Sequence, residues 1–296
     1  MRTLTYTVPP ELAGRKVKSI LLYRLQIPAS MIARIKLRET GILLNGRRCR
    51  TTDTVRAGDV VSAEVGDAPC DTGIVPVAFP LPVLYEDEDL LVVDKPAGMA
   101  THGRAERGDA TVATALAAVY GARQPFHPVT RLDRGTSGLL VAARSGYAHE
   151  RLRRILHTED FIREYLALAA GAPPDAQGSV TLPVKKDETA KNRFRTAPDG
   201  LPARTDYTVL ETRGGLSLIR LRLYTGRTHQ IRVHLAALGC PVYGDRVYGA
   251  EAPGLDRPAL HSAYLHLRQP VTGAVVELQS PLPEDLEAIW KHMRSK

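Results

Sequence analysis

Residues 131–141 read RLDRGTSGLLV: a single carboxylate, Asp133, between the guanidiniums of Arg131 and Arg134, then a Gly-Thr-Ser-Gly turn, then an apolar run. An aspartate flanked by arginines is an ordinary surface ion pair unless its surroundings take it out of water. Upstream, VLYEDEDLLVVDKPAG (83–98) is an apolar strand, an acidic turn and a partner strand stopped by Pro96, which predicts a hairpin. ATVATALAAVY (110–120) and, beyond the turn, YAHERLRRIL (147–156) have helical spacing and strong helix formers. EYLALAAG (164–171), TDYTVLET (205–212), LSLIRLRLY (216–224) and VVELQSP (275–281) read as strands. Strands and helices mix without a regular β-α alternation, so the expected class is α+β with a largely antiparallel sheet.

The chain has 296 residues, more than one domain usually needs, so two domains are expected. Hydrophobic and charged contents of 44% and 24% are those of a globular protein, and no stretch has the roughly 18 uninterrupted apolar residues of a membrane span. The N-terminal MRTLTYTVPPEL lacks the apolar segment of a secretion signal, which predicts a cytoplasmic protein without a membrane partner. Cys49, Cys70 and Cys240 are odd in number and widely spaced, against both a disulfide framework and a zinc site.

The net charge of +8 is concentrated. Between Gly14 and Arg50 lie ten basic residues, Arg15, Lys16, Lys18, Arg24, Arg34, Lys36, Arg38, Arg47, Arg48 and Arg50, against one acid, Glu39. That local +9 leaves −1 for the remainder, the footprint expected for contact with a polyanion. Arg15, Lys18, Arg34, Arg38, Arg47 and Arg48 are therefore candidate contacts for that polyanion, with Arg131 and Arg134 beside Asp133.

Within this basic region, MIARIKLRETG after Pro28-Ala29-Ser30 predicts a helix capped by Ser30 and stopped by Gly41. ILL, Asn45-Gly46 and RRCR form a hairpin signal with the favoured type I′ pair, and VRAGDVVSAEV (55–65) adds a turn and a strand. From Leu25 to Val65 this order resembles the S4 RNA-binding module. Arg15-Lys16-Val17-Lys18 stands where that module's first helix usually opens with Arg-Leu-Asp. The expected organisation is an S4-like domain over 1–70, an aperiodic Gly/Pro-rich linker over 71–81, and a larger domain over 82–296.

Several chemistries lack their equipment. A serine nucleophile elbow needs G-x-S-x-G, and Leu139 stands where the second glycine belongs after Ser137. His229 and His234, like His261 and His266, are five residues apart without an acid at zincin spacing, so they are expected to be structural or RNA-contacting. No dinucleotide or P-loop glycine motif occurs. What remains is a carboxylate among arginines, and TGRTHQIRVHLAALGCPVYGD (225–245), a glycine turn leading into a helix whose early turns are expected to carry Arg227, His229, Gln230 and Arg232.

LLVVDKPAGMATHG (90–103), RLDRGTSGLLV, REYLAL (163–168) and TGRTHQIRVHLAALGCPVYGD together resemble, in order, the signatures of the RluA-type pseudouridine synthases. These enzymes isomerise uridines of large-subunit ribosomal RNA and, in some members, transfer RNA. The resemblance implies Asp133 as the catalytic aspartate, Arg232 as its arginine partner, Tyr165 as the aromatic residue against the target base, Ile231 as a base-packing residue, and Arg131 as a residue that holds the flipped nucleotide's surroundings open. Thr130 stands where the family more often has histidine, so a base-flipping contact from that histidine is missing.

The chemistry suits these roles. Conversion of uridine to pseudouridine breaks N1–C1′ and joins C5 to C1′ with no change of redox state, so neither a cofactor nor a metal is expected. A carboxylate can attack C1′, attack C6 of the ring, or help remove the C2′ proton in a glycal route. Arg232 is permanently charged and able to hold a carboxylate by two parallel hydrogen bonds. A phenol such as Tyr165 offers a face for stacking and a hydroxyl for proton relay, and the nucleotide must leave the stack to be reached. The expected protein is a monomeric RNA pseudouridine synthase; the rival is a non-catalytic RNA-binding or ribosome-assembly factor, for which the basic region would suffice. Glycines Gly135 and Gly138 are expected to serve a turn with unusual backbone angles, and Lys95 to be structural.

Overall fold

The computed structural model describes residues 2–102, 110–249 and 252–294. The last residue of the 90–103 motif, Gly103, lies outside the described residues. The N-terminal part runs β1 (Arg2–Thr7), α1 (Val17–Tyr23), α2 (Ala29–Ile35), β2 (Ile42–Leu44), β3 (Arg47–Arg48) and β4 (Val60–Val65), with an antiparallel sheet in the order β1-β4-β2-β3. Asn45 and Gly46 both take left-handed backbone angles, φ 51° and 75°, as the type I′ turn requires. Val17, Ile20 and Leu21 of α1 and Met31, Ile32 and Ile35 of α2 pack on Val61, Ala63 and Val65 of β4. The helix cap corrects the sequence reading. α2 starts at Ala29 with Pro28 as cap residue, whose φ of −58° supplies the entry angle without a side-chain cap, so Ser30 falls inside the first turn. The helix also ends at Ile35, ahead of Gly41.

The larger part begins with β5 (Val83–Glu86) and β6 (Leu90–Lys95), followed by α3 (Val112–Tyr120), β7 (His127–Pro128), β8 (Ser137–Ala143), α4 (Gly146–Ile155) and β9 (Phe161–Ala170). It continues through β10 (Gln177–Val180), β11 (Val184–Lys186), β12 (Phe194–Thr196), β13 (Thr205–Arg213), β14 (Leu216–Leu223), α5 (Gln230–Ala237), β15 (Leu260–Arg268), β16 (Val275–Gln279) and α6 (Glu284–Arg294). Its main sheet runs β10-β13-β14-β9-β15-β8-β6-β5, with β16 on β15 and β7 on β8. Every pairing is antiparallel except β15 with β8, so the α+β, antiparallel-dominated class holds.

Local chemistry explains the main elements. α3 carries a reciprocal Thr111–Thr114 capping box, and the Ser145 hydroxyl caps α4. β8 is buried at every position because sheet neighbours flank it and helices cover it. β9 alternates, placing Phe161, Arg163, Tyr165 and Ala167 on one buried face.

The parallel β15–β8 contact draws the chain close at Gly138. Its φ is +104°, and a Cβ there would lie 2.2 Å from the Ser262 carbonyl oxygen, so only glycine fits. Gly135 differs from its expectation: it has no positive φ, and its constraint is space against Pro258.

Between Val65 and Val83 no regular element forms, yet this segment is strapped down, with backbone bonds from Cys70 to Arg123 and from Val77 to Thr114. Tyr147 of α4 is buried in the N-terminal core and its hydroxyl donates to the Leu25 carbonyl at 2.9 Å. Asp67 binds the Gly146 amide and His127, each at 2.7 Å, and Arg2 pairs with buried Asp89 at 2.6 Å. No helix among the described residues is long and apolar enough to cross a membrane.

Candidate active site

Asp133 sits on the loop between β7 and β8, and three residues of the 90–103 motif hold that loop. Lys95, at the end of β6 and fully buried, donates from Nζ to the carbonyls of Pro96 (2.9 Å), Met99 (2.7 Å) and Arg134 (3.4 Å). The Gly98 amide also donates to the Arg134 carbonyl, and the Thr101 hydroxyl both donates to the Leu132 carbonyl and accepts from the Leu132 amide. Burial pushes the Lys95 ammonium down to about 8, against the attraction of Asp133.

On the other side of Asp133 is α5. The helix starts later than its sequence suggests. His229 takes a left-handed conformation (φ 57°) as cap residue, and Arg227 lies in the turn before it. Gln230, buried, folds back to accept from the Arg227 amide and the Thr225 hydroxyl while donating to the Arg204 carbonyl and the Thr205 hydroxyl. With all its hydrogen-bonding capacity used, it pins the TGR turn to β13.

Arg232 then reaches Asp133 with Nη1 at 3.1 Å. Its two-pronged edge does not engage Asp133: Nε and Nη2 bind the fully buried Asp245 at 2.6 and 2.8 Å. This corrects the expected two-bond pairing with Asp133, because the guanidinium is already clamped from behind. Burial opposes the charge on Arg232, and the two carboxylates more than offset it. Asp245 is also held by the Val247 amide at 3.0 Å.

His229 adds a second neighbour, Nε2 lying 3.7 Å from Asp133 and Nδ1 2.9 Å from the Tyr248 hydroxyl. Burial lowers its pKa despite Asp133, so the ring is neutral at pH 7. Tyr248 accepts from the Phe194 amide and lies under Arg232, the guanidinium carbon 5.1 Å from the ring centre.

Asp133, Tyr165, Ile231, Arg232, Leu223 and Leu260 line a cavity of 60 Å³, with Arg131 among its further walls. Asp133, Tyr165 and Arg131 also line a neighbouring groove of 650 Å³, together with Arg134, Arg153, Arg163 and Arg227. Tyr165 is 5% exposed, and burial raises its phenol pKa, so it stays protonated. Ile231 is 3% exposed. The structure thus brings Asp133, Tyr165, Ile231 and Arg232 to one cavity, with Arg131 and Arg134 exposed beside it.

The basic N-terminal residues lie elsewhere: Arg15, Lys18, Arg34, Arg47 and Arg48 are exposed, and Arg38 is half-buried with Nη2 on the Gly66 carbonyl at 3.3 Å. Thr130 is buried and its hydroxyl oxygen accepts from the Val141 amide of β8, a structural task. His234 is locked between the Thr205 hydroxyl and the Leu182 carbonyl; His261 lies between Ser137 and the Ser280 carbonyl, with Ser137 buried too. No group of three or more potential metal ligands occurs among the described residues.

Another cavity, of 550 Å³, lies at the junction of the two parts. It is lined by Asp67, Glu86, Asp87, Glu88 and Asp89 against Arg2 and Arg144, which pair with three of them, so its net charge is negative and disfavours a phosphate chain. Asp245 and Tyr248 were not singled out from the sequence, and His229, expected to be structural or RNA-contacting, was not assigned to the catalytic group. Asp245 stood in the same signature as Arg232, thirteen residues on, but spacing alone does not pair them.

Comparison with known proteins defines the family. The solved structure of human RNA pseudouridylate synthase domain containing 4 superposes with a TM-score of 0.58 at 25% identity, over 72% of this chain and 93% of that one. The sequence model of the RNA pseudouridylate synthases matches residues 89–237, and the chain belongs to that family. An uncharacterized RNA pseudouridine synthase of Chloroflexus aurantiacus is 37% identical over 98% of this chain and 93% of its own length. Ribosomal large subunit pseudouridine synthase D of Escherichia coli K12 is 33% identical over 99% and 94%, and that of Xanthomonas campestris 35% over 97% and 91%. The activity is therefore that of an isomerase acting on RNA uridine.

Proposed function

We propose that this enzyme converts uridine to pseudouridine in large-subunit ribosomal RNA, with Asp133 as the catalytic carboxylate. The observation that carries the assignment is the setting of Asp133. It lines a small cavity together with Tyr165 and Ile231, on a loop tied by Lys95, opposite an arginine whose other edge is held by Asp245.

The reaction breaks N1–C1′, turns the uracil, joins C5 to C1′ and releases the C5 proton. Asp133 acts on the sugar or ring, and Arg232 keeps its carboxylate aimed. Tyr165 and Ile231 hold the extruded uracil between an aromatic face and an aliphatic one, and Arg131, exposed at the rim, fills the space the nucleotide leaves. The neutral His229 and the protonated Tyr165 are the groups beside Asp133 able to carry a proton.

The names of the relatives support ribosomal RNA as substrate, and a cytoplasmic site of action goes with it. The N-terminal part, residues 1–70, is assigned as an S4-like RNA-binding domain, joined through 71–81 to the catalytic domain at 82–296. Its exposed Arg15, Lys18, Arg34, Arg47 and Arg48 contact phosphates, positioning the RNA without reading its sequence.

The test is tritium release from C5-labelled, unmodified ribosomal RNA, wild type beside Asp133→Asn. Release by wild type alone is expected. Equal release by Asp133→Asn removes Asp133 from the chemistry, and release by wild type from transfer RNA alone replaces the substrate.

A further inference from the structure

Among the described residues, Arg163 is a buried charge with no ion-pair partner. It lies two residues before Tyr165 on the same face of β9, is 6% exposed, and its Nε and Nη2 have no hydrogen-bond partner among the described residues. Proteins rarely leave a buried guanidinium so, because desolvation costs several kcal/mol unless a partner offsets it. The contrast with Arg232 is direct. That arginine is about equally buried, and the same two nitrogens, Nε and Nη2, form the edge that grips Asp245. In Arg163 this edge is empty.

Its neighbours do not supply an anion. Phe161 lies 5.8 Å beneath the guanidinium carbon, and the charged groups felt at His157 are Arg163 and Arg227, both cationic. The groove that Arg163 lines also carries Arg131, Arg134, Arg153 and Arg227, with Asp133 as its one carboxylate among the described residues. A site of this kind is built for an anion brought by the ligand.

We propose that Arg163 is the receptor for the backbone phosphate flanking the nucleotide whose base enters the cavity beside Tyr165. The guanidinium, turned so that its Nε–Nη2 edge, closed to solvent without RNA, faces the groove it lines, donates in parallel to two non-bridging oxygens, the geometry that makes arginine a phosphate reader. The spacing suits it, since two residues along a strand separate base contact from phosphate contact by about 7 Å. The contact rests on the RNA reading above and deepens it: the strand is anchored next to the reacting nucleotide, so one arginine both aids extrusion and sets the depth to which the base enters.

The experiment compares wild type, Arg163→Lys and Arg163→Met for thermal unfolding, for binding of an unmodified large-subunit ribosomal RNA transcript across a salt series, and for tritium release. Arg163→Met is expected to unfold at or above the wild-type temperature, because an unpaired buried charge is gone. Its log K against log salt slope falls by the ~0.7–0.9 of one phosphate contact. KM rises about tenfold with kcat changed less, the loss of a charged hydrogen-bonding partner, and Arg163→Lys recovers part of it. An Arg163→Met protein that unfolds earlier and keeps the wild-type slope has lost a structural strut, which overturns the proposal. If wild type releases no tritium from any RNA, the functional reading fails instead, while the binding slopes still decide Arg163.

Discussion

Removing Asp245 should damage stability more than removing the carboxylate assigned to catalysis, and the structure sets the ratio. Asp245 is fully buried and makes two short bonds, 2.6 and 2.8 Å, to an arginine that is itself 6% exposed. Breaking such a pair from one side leaves the other charge buried, at about 3–5 kcal/mol. Asp133 has a side chain 28% exposed and receives one Arg232 bond of 3.1 Å, so its loss costs about 0.5–1 kcal/mol. At about 2 °C per kcal/mol for a chain of this size, Asp245→Ala should lower the unfolding temperature by about 6–10 °C and Asp133→Asn by under about 2 °C.

Activity should run the other way. Asp133→Asn loses turnover entirely. Asp245→Ala retains it at a level about 10- to 100-fold down, because Arg232, no longer clamped from behind, does not hold the Asp133 carboxylate in its reactive position. Asp245→Asn, keeping one acceptor, should fall between wild type and Asp245→Ala in both respects. Thermal unfolding and tritium release on the same preparations make the comparison. An Asp245→Ala protein that melts within 2 °C of wild type, or turns over at the wild-type rate, would refute the clamp.

Lys95 predicts a pH signature. Its folded-state value of about 8 lies below the usual 10.5, so between these values the unfolded chain binds more protons and stability rises with pH; below pH 8 both states are charged and the burial cost is borne in full. Urea unfolding should show wild type gaining about 2 kcal/mol relative to Lys95→Met from pH 8 to 9.5, and parallel curves would remove the effect. Tyr165→Phe keeps the ring and loses the hydroxyl, which also bonds Ser262; RNA affinity should hold while the single-turnover rate falls about 100-fold, and an unchanged rate confines Tyr165 to stacking. The double change Arg47→Glu with Arg48→Glu should weaken RNA binding and flatten its salt dependence by about 1–2 in slope while moving stability by less than about 0.5 kcal/mol. Full affinity in that variant would remove the β3 edge from the RNA path. Deleting the N-terminal part is a poorer test, since it would uncover Tyr147, now 1% exposed.

Short-range physics was legible in the chain. Asn45-Gly46 demanded left-handed angles and took them; the alternation of residues 161–170 set Tyr165 on a buried face; α3 and α4 lie within two residues of where periodicity puts them. The signatures around Asp133, Tyr165 and Arg232 named the residues that share the cavity, although they span residues 133 to 232. The misses were of two kinds. Where two local signals competed, as Pro28 and Ser30 did for the start of α2, the proline's fixed φ prevailed over the hydroxyl's capping preference.

The other misses concern pairing through space. Which edge of Arg232 faces Asp133 and which faces Asp245 follows from where β15 enters the sheet between β9 and β8, a choice made by packing over the whole domain. The same packing leaves Nε and Nη2 of Arg163 without a hydrogen-bond partner among the described residues and buries Lys95 against three carbonyls. In the sequence these are two unremarkable basic residues, because a side chain's charge is local but its desolvation and its counterions belong to the folded surroundings. The residue types and their local conformations were set by the chain itself; which buried charges are compensated among the described residues, and by which partners, was decided only by the tertiary fold.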